Sequence, residues 1–255
     1  MANIFFIGIK GAGMSALANI LKDLGNEVSG SDIEEHVFTQ KALIENDITI
    51  VPFSVENMNQ SYDIIIKGNA FNSENNIEVA HLVKENIEHI SYYEFLANFL
   101  ANYISVGISG THGKTTTTGL LAQVFSDKKV ASLIGDGTGI AAKNAEYFLF
   151  EACEYKRHFL YYAPTYLIIT NIEFDHPDYF EDVEDVIDAF ASAAQKTKKA
   201  VVAFGDDEHV RTMMQDVDAV PVITFGFESD NTYTIIDYTP TSEGISFSLE
   251  KNGGN

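Results

Sequence analysis

Cysteine and long apolar runs are almost missing from this 255-residue sequence. The single cysteine excludes a disulfide framework and is compatible with a reducing cytosol. No apolar run approaches the roughly 20 residues that a membrane-spanning helix needs, and the start of the chain lacks the basic residues of a signal peptide. Repeats and low-complexity tracts are also lacking. We therefore expect a cytoplasmic protein with one large or two modest domains and no membrane insertion.

Basic residues are scarce as well. The chain has 16 Lys and Arg against 37 Asp and Glu, which gives a formal net charge of −21. This charge argues against DNA, RNA or an anionic membrane surface as a partner. If such an acidic protein binds phosphates, backbone amides, helix N-termini, Mg²⁺ and a few lysines must supply the attraction locally.

The most informative stretch of the chain is Ser109 to Thr118, which contains two glycines. It follows an apolar run, Tyr103 to Ile108, that predicts a buried strand, and it precedes a helix predicted over Gly119 to Phe125. A glycine-containing turn between a strand and a helix directs several backbone N–H groups at one point. The helix dipole adds positive potential there, so the stretch predicts an anion site.

Two side chains in this stretch suit a nucleotide. Lys114 can reach the outer phosphates, and the Thr115 hydroxyl can ligate Mg²⁺. The spacing is shorter than the strict Walker pattern, because Ile108 stands where that pattern has its first glycine. The alternative is a glycine turn with a chance Lys-Thr pair. The order of strand, loop and helix favours a triphosphate site over Gly110 to Thr115.

The first third of the chain alternates strands and helices in the Rossmann order. A strand over Asn3 to Ile7 precedes the turn Gly8 to Ser15, and a second strand, Glu27 to Asp32, ends in a carboxylate that can bond a ribose or base. The loop from Lys67 to Ala70 follows a strand over Asp63 to Ile66, at the edge where such sheets hold ligands. The glycine spacing departs from the dinucleotide fingerprint. A dinucleotide, another phosphorylated ligand, and a turn that only packs helix on strand all stay open.

The second part of the chain has a different organisation. We place a domain boundary near Asn102 and predict two domains, residues 1–102 and 103–255. Near-continuous apolar strands separated by crossover segments predict a parallel sheet that is buried on both faces. The segment from Thr232 to Lys251 is β-rich and predicts an antiparallel hairpin. The predicted class is therefore α/β, with a mostly parallel sheet and a hairpin extension.

Several predicted strands of the second domain end in polar residues. Glu151 follows one apolar strand, and the segment Asn171 to Asp178 follows the next. Carboxylates beside a triphosphate would repel it without a divalent cation. We therefore expect Mg²⁺ near Thr115, held by an acidic residue, with His176 as a further candidate ligand.

Each of these residues has a simpler interpretation. Glu151 could be a solvated strand end, and His176 could shape a turn with the proline that follows it. Asp175 and Asp178 could be surface residues or caps for a helix predicted over Glu181 to Ala194. Only for Lys114 and Thr115 does the sequence clearly favour a functional role over such a simpler interpretation.

Four motifs together resemble a known family. They are Gly8 to Ser15, Ser29 to Asp32, Gly110 to Thr118 and Thr170 to His176. Jointly the chain resembles the Mur ligases of peptidoglycan synthesis, in particular those that add L-alanine to UDP-N-acetylmuramate. Phe150 to Phe159 resembles the form of low-GC Gram-positive members. The resemblance implies an N-terminal Rossmann-like domain followed by a P-loop Mur-ligase central domain.

The resemblance also implies specific sites. The first domain would bind the UDP part of the sugar nucleotide instead of NAD. The implied UDP-sugar residues are Gly11, Ala12, Gly13, Met14, Ser15, Asp32, Lys67, Gly68 and Asn69, with Asp136 and Thr138 near the muramoyl group. The implied ATP residues are Gly110, Thr111, His112, Gly113, Lys114, Thr115, Thr116 and Asn171. The implied Mg²⁺ ligands are Thr115, Glu151 and His176, and the implied catalytic residues are Lys114, Glu151 and His176.

The implied reaction forms an amide at the expense of ATP. The muramoyl carboxylate attacks the γ-phosphate and gives an acyl phosphate and ADP. The amine of L-alanine then attacks the acyl carbon, and phosphate leaves. Mg²⁺ and Lys114 would offset the repulsion between the two anions. Such a reaction needs no side-chain nucleophile, which agrees with the lack of a Ser/His or Cys/His constellation.

The sequence departs from the family in one respect. Family members carry a third, Rossmann-like domain that contributes to the amino-acid site, and this sequence has no counterpart. We therefore expect a fragment that is inactive alone.

The sequence leaves two alternatives to the alanine-adding ligase. They are a ligase that attaches a recycled tripeptide to the same sugar nucleotide and a non-catalytic nucleotide-binding module. A Rossmann oxidoreductase is disfavoured by the glycine spacing. The oligomeric state stays open.

Overall fold

The computed structural model describes residues 1–252. The chain folds into two compact units, residues 1–105 with 115–151, and residues 106–114 with 152 onward. The chain passes from one unit to the other three times. The crossings lie between Ser105 and Val106, between Lys114 and Thr115, and between Glu151 and Ala152. Each unit combines strands with helices, so the α/β class is confirmed. Within residues 1–252, no helix has the length and apolar character that crossing a membrane requires.

The first unit begins with a five-stranded parallel sheet. Its strands are β1 (Asn3–Ile7), β2 (Glu27–Asp32), β3 (Thr49–Pro52), β4 (Ile64–Lys67) and β5 (Ile90–Ser91). Its helices are α1 (Ala12–Asp23), α2 (Gln40–Glu45), α3 (Ile77–Lys84) and α4 (Tyr92–Leu100), with a 3-10 helix at Val55–Asn59. The strand order is β3-β2-β1-β4-β5. The order reverses at β1, so the carboxyl end of β1 is the switch point where such sheets bind ligands.

Burial explains why β1 lies at the centre of this sheet. Ile4 to Ile7 are all buried, as a strand covered by helices on both faces requires. Phe5 and Ile7 form a core cluster with Val79 and Leu82 of α3. The Rossmann arrangement that the sequence predicts for this part of the chain is therefore confirmed.

The rest of the first unit follows the predicted phosphate loop. Strand β6 (Ile104–Ser109) crosses the boundary between the units, and helix α5 (Lys114–Val124) follows the loop. Strands β7 (Val130–Leu133), β8 (Gly139–Ala141) and β9 (Tyr147–Glu151) complete the unit. β7 pairs in parallel with β9 and antiparallel with β8. The glycine-rich pattern at the start of β8 predicts only a turn, so this strand is an addition to the expected fold.

Helix α5 begins earlier than the sequence predicts. The pattern predicts a start at Gly119, whereas the helix begins at Lys114 and includes the four threonines that follow it. Threonine has a weak intrinsic helix propensity, so nothing local in the sequence indicates this start. The early start puts the first turn of α5 directly at the loop, where the amino end of the helix favours anions.

The second unit is a sheet that starts from the carboxyl half of β6. Its further strands are β10 (Tyr166–Ile169), β11 (Ala200–Phe204), β12 (Val222–Gly226), β13 (Tyr233–Thr241) and β14 (Gly244–Lys251). Neighbours from β6 through β10, β11 and β12 to β13 pair in parallel, and β14 closes an antiparallel hairpin with β13. The mostly parallel sheet and the hairpin are both confirmed.

Two helices and one 3-10 segment cover this sheet. They are α6 (Val183–Gln195), α7 (Glu208–Met214) and the 3-10 segment Tyr155–Tyr161. The N-cap of α6 is Asp182, whose side chain accepts a hydrogen bond from the Asp185 amide at 2.8 Å. Asp175 and Asp178 therefore do not cap this helix, and that interpretation is wrong.

Candidate functional site

The turn after β1 is organised by the end of β2. The amides of Gly8 and Ile9 both donate to the Ser31 carbonyl, at 2.8 and 3.1 Å. The Asp32 carboxylate accepts hydrogen bonds from the backbone amides of Lys10, at 2.6 Å, and Ile33, at 2.8 Å. Asp32 is buried, so its charge is held by backbone donors. Its observed contacts shape the turn that is expected to bind a pyrophosphate.

Two cavities open beside this turn. One, of about 340 Å³, is lined in part by Gly11, Met14, Asp32, Gly68 and Asn69. The second, of about 210 Å³, is lined by the stretch Gly11 to Met14 together with Asn69, Tyr92 and Tyr93. The structure therefore brings together most of the residues that the sequence assigns to the UDP-sugar.

Other residues assigned to the UDP-sugar do not line these cavities. The ammonium of Lys67 donates to the Phe71 carbonyl at 3.3 Å, and the Ser15 hydroxyl donates to the Ala12 carbonyl at 3.1 Å. A larger cavity of about 640 Å³ lies before the amino ends of β4 and β5, where Asp63 and His89 line it. It contains none of the predicted site residues. Volume alone is a poor guide here, because a phosphate-binding turn is shallow and uses backbone amides.

The turn Gly135 to Gly139 packs against the amino end of α1. A Cβ at Gly139 would lie 1.9 Å from the Ala16 carbonyl oxygen. Gly137 has a φ of +92°, and a Cβ there would lie 2.7 Å from the Thr39 methyl carbon and 3.2 Å from the Ser15 hydroxyl oxygen. Glycine is therefore needed at both positions. The Asp136 carboxylate accepts the Thr138 amide at 2.9 Å and stabilises the turn. Asp136 and Thr138 thus lie in a turn that contacts the first helix turn of the predicted UDP-sugar site.

The same turn contacts the predicted magnesium ligands. Glu151 accepts the Gly135 amide at 2.5 Å and the Thr115 hydroxyl at 3.2 Å, one bond on each carboxylate oxygen. Glu151 is half-buried at the end of β9. A hydroxyl and a carboxylate are hard oxygen donors of the kind that Mg²⁺ prefers, and this pair fits that cation.

The third predicted ligand belongs to the other unit. Thr115 and Glu151 lie in the first unit, and His176 lies in the second. Among the residues that the structure describes, no group of three or more His, Cys, Asp or Glu side chains is arranged to hold a metal ion. The three predicted ligands, Thr115, Glu151 and His176, are not such a group, because Thr115 would bind the metal through a hydroxyl.

In the second unit, the segment after β10 makes hydrogen bonds to the predicted phosphate loop. The Asn171 side chain donates to the His112 carbonyl at 3.0 Å and accepts the His112 amide at 2.9 Å. The Thr111 hydroxyl donates to the Glu173 carbonyl at 3.1 Å and accepts the Glu173 amide at 2.8 Å. Asn171, assigned to ATP from the sequence, therefore contacts the loop itself and fixes its shape.

Gly110 is the residue that permits this close approach. Its φ is +139°, and a Cβ there would lie 2.0 Å from the Thr170 hydroxyl oxygen. That hydroxyl in turn donates to the His112 carbonyl at 2.7 Å. Gly113, the second glycine of the loop, also has a positive φ of 83°. The two glycines thus supply backbone conformations that other residues rarely adopt.

Lys114 makes an ion pair that the sequence analysis missed. Its ammonium donates to both carboxylate oxygens of Glu154, at 3.0 and 2.9 Å. Glu154 is 2% exposed and Lys114 is 16% exposed. The available signal was a second carboxylate in the Phe150 to Phe159 motif, three residues after Glu151. Its burial depends on tertiary contacts, so the sequence alone did not separate it from a surface glutamate.

His176 also lies near the Glu154 carboxylate. Its Nε2 is 3.7 Å from a Glu154 carboxylate oxygen, and its ring centroid is 4.4 Å from that of Tyr155. The His176 carbonyl accepts the amides of Tyr179 and Phe180, so the residue also shapes a turn. Lys114, Glu154 and His176 thus form one cluster of ionisable side chains within the second unit.

A tyrosine–carboxylate pair borders this cluster. The Tyr155 hydroxyl donates to Asp178 at 2.6 Å. This hydrogen bond raises the pKa of Tyr155 and lowers the pKa of Asp178 from their ordinary values. Nearby, burial lowers the pKa of His158, with a smaller contribution from the charge of Lys156. His158 is therefore held towards its neutral form.

Two family models match the chain. The model described as Mur ligase family, catalytic domain, matches residues 3–104. The model of the Mur ligase middle domain matches residues 108–255. Together they cover nearly all of the sequence.

The chain is also similar to solved structures of Mur ligases. UDP-N-acetylmuramate-alanine ligase MurC from Thermotoga maritima is 30% identical, with a TM-score of 0.79, over 99% of this chain and 59% of that one. The UDP-N-acetylmuramate:L-alanyl-gamma-D-glutamyl-meso-diaminopimelate ligase of Neisseria meningitides is 25% identical, with a TM-score of 0.81, over 99% of this chain and 85% of that one. A murein peptide ligase from Psychrobacter arcticus 273-4 is 20% identical, with a TM-score of 0.81, over 100% of this chain and 59% of that one; it shows the fold alone. The chain belongs to the Mur ligase family of ATP-dependent ligases, which build peptidoglycan precursors.

Proposed function

We propose that this chain binds UDP-N-acetylmuramate and MgATP for a ligase reaction in which the muramoyl carboxylate becomes an acyl phosphate with release of ADP, and L-alanine then displaces phosphate. The UDP-sugar would bind the domain up to about Asn102, and ATP the domain that follows. The chain spans 59% of the length of the Thermotoga ligase, so the complete ligation cycle is part of the proposal.

One observation carries this proposal. The turn Gly135 to Gly139 contacts the amino end of α1 through Gly137 and Gly139. Through Gly135 it also contacts Glu151, which bonds Thr115. A sugar-nucleotide site and a metal–phosphate site must lie close together if a carboxylate of one substrate is to attack a phosphate of the other. A continuous path of contacts between the two supports such a reaction.

Each group has a physical role in the proposed reaction. The amides of the Gly110 to Thr115 loop and the amino end of α5 would bind the phosphates of ATP. The Lys114 ammonium would offset charge that develops on the transferred phosphoryl group. Thr115 and Glu151 would hold Mg²⁺, with His176 as the third proposed ligand. Bound there, the cation would supply positive charge that reduces the repulsion between the phosphates and the incoming carboxylate.

A second candidate is the addition of a recycled tripeptide to the same UDP-sugar. It is favoured by the likeness to the Neisseria ligase, whose name specifies that tripeptide. Both candidates share the UDP-sugar and ATP sites. The Gly-Ala-Gly-Met-Ser turn at Gly11 to Ser15 favours the alanine reaction.

Separate calorimetric titrations of UDP-N-acetylmuramate and MgATP test the proposal. We expect the 255-residue protein to bind each ligand with one site, and we expect no heat from NAD under the same conditions. The control is Lys114→Met, which should weaken MgATP binding and leave UDP-N-acetylmuramate binding unchanged. Binding of NAD in place of the UDP-sugar would contradict the proposal, and so would a protein that binds only one of the two substrates.

A further inference from the structure

Glu154 is the charged residue beside the phosphate loop to which the proposed reaction gives no role. Its carboxylate is almost fully buried, and both of its oxygens accept hydrogen bonds from Lys114. A carboxylate removed from water is stabilised as an anion by a cation in direct contact. Lys114 is therefore the counter-ion of Glu154 in this structure.

The Lys114 ammonium is also engaged by its own loop. It donates to the Gly110 carbonyl at 2.5 Å and to the Thr111 carbonyl at 3.1 Å. With the two oxygens of Glu154, these acceptors outnumber the three N–H groups of an ammonium. Lys114 can therefore bind a nucleotide phosphate only if it gives up at least one of its present acceptors.

Of these acceptors, Glu154 is the one that a phosphate would displace. The loop carbonyls are neutral and belong to the same segment that carries the phosphate-binding amides. The Glu154 carboxylate is an anion, so it competes with the anionic phosphates for the same ammonium. We propose that Glu154 is a positioning residue that holds Lys114 in the loop until a nucleotide phosphate takes its place. This inference rests on the proposed function, because it needs a nucleotide on this loop.

The exchange has a measurable cost. It separates a buried carboxylate from its counter-ion, so the nucleotide affinity of the loop is lower than it would be without that carboxylate. Glu154→Gln keeps the shape of the side chain and one acceptor oxygen but removes the charge. It should therefore raise nucleotide affinity. It should also lower the stability of the nucleotide-free protein, because the ion pair with Lys114 is lost. A residue with only a structural role would not produce these opposite effects.

Titration of MgADP into four proteins tests the inference. The proteins are the wild type, Glu154→Gln, Lys114→Met and the double variant. We expect Glu154→Gln to bind MgADP about tenfold more tightly than the wild type, which corresponds to about 1.4 kcal/mol. We also expect its melting temperature to fall. In the Lys114→Met background, the same change should alter the affinity by less than about twofold, because Glu154 acts through Lys114.

Two further variants control the experiment. Glu208→Gln removes a carboxylate that is 91% exposed in the same unit, and it should leave the affinity unchanged. Glu154→Asp keeps the charge, so it should show no gain in affinity even if the glutamine variant does not fold.

The outcomes separate the two proposals. Unchanged or weaker MgADP binding by Glu154→Gln would overturn the positioning role, and so would an equal gain in the presence and absence of Lys114 or a tenfold gain in Glu154→Asp. A wild-type protein that does not bind MgADP would instead overturn the proposed function, and this inference with it.

Discussion

The Thr115 hydroxyl lies 3.2 Å from a carboxylate oxygen of Glu151, and it donates a hydrogen bond to that oxygen. Both groups are oxygen ligands of the kind that Mg²⁺ binds. Two residues that are far apart in sequence therefore meet at the first turn of α5. Substitution of either residue therefore tests the proposed metal site.

Glu151→Gln should weaken binding of MgATP by about 10- to 100-fold, because a charged oxygen ligand is lost. Binding of ATP without the metal should change far less. Calorimetry with and without Mg²⁺ measures the difference. Thr115→Ser, which retains the hydroxyl, is the control and should bind MgATP nearly as well as the wild type. An equal loss in the presence and absence of Mg²⁺ would show that Glu151 acts on the nucleotide directly.

Gly110→Ala should destabilise the protein by about 1–3 kcal/mol, because alanine is strained at positive φ and its Cβ would meet the Thr170 hydroxyl. Nucleotide binding should fall with it. Chemical denaturation measures the free energy of unfolding. The matched control is Gly119→Ala within α5, where a Cβ meets nothing within 4 Å. That change should stabilise the helix by about 0.5–1 kcal/mol. Equal effects of the two alanines would contradict the role given to Gly110.

Gly139→Ala should disturb the proposed sugar-nucleotide site more than the proposed phosphate loop. The added Cβ would meet the Ala16 carbonyl at 1.9 Å and force β8 away from α1. We expect weaker binding of UDP-N-acetylmuramate, whereas the affinity for MgADP should change less. Titration of each ligand separately measures this, with circular dichroism as a check on folding. A selective loss of MgADP binding would refute the prediction.

The Tyr155–Asp178 pair predicts a pH dependence. The hydrogen bond from Tyr155 lowers the pKa of Asp178, so the pair stabilises the fold above the ordinary carboxyl pKa. This contribution is lost as the pH falls through the lowered value. Carboxyl NMR titration should find the pKa of Asp178 below its usual range. Tyr155→Phe should return that pKa towards its ordinary value, and an unchanged pKa in this variant would disprove the assignment.

Much of the fold followed from local patterns. The apolar runs over Asn3 to Ile7 and Tyr103 to Ile108 predict strands, and the structure has β1 and β6 there. The loop with Gly110 and Lys114 was predicted from the order of strand, glycine turn and helix. These features depend on neighbours in sequence, and a single sequence is sufficient to find them.

Other features depend on distant contacts and were not predictable in this way. β8 is a strand only because it pairs with β7 and lies against α1. Lys156 and Arg157 both have positive φ values, 51° and 56°, although nothing local in the sequence favours that conformation. The role of Glu154 also escaped prediction, because its burial against Lys114 exists only in the folded chain.

The turn between β7 and β8 restricts how this protein can evolve. Its glycines leave no space for side chains at α1 or at Glu151. An insertion or deletion of one residue there would displace the proposed sugar-nucleotide site and the proposed metal site at the same time. The length of this short segment should therefore tolerate little variation, although Gly135 and Asp136 are themselves exposed.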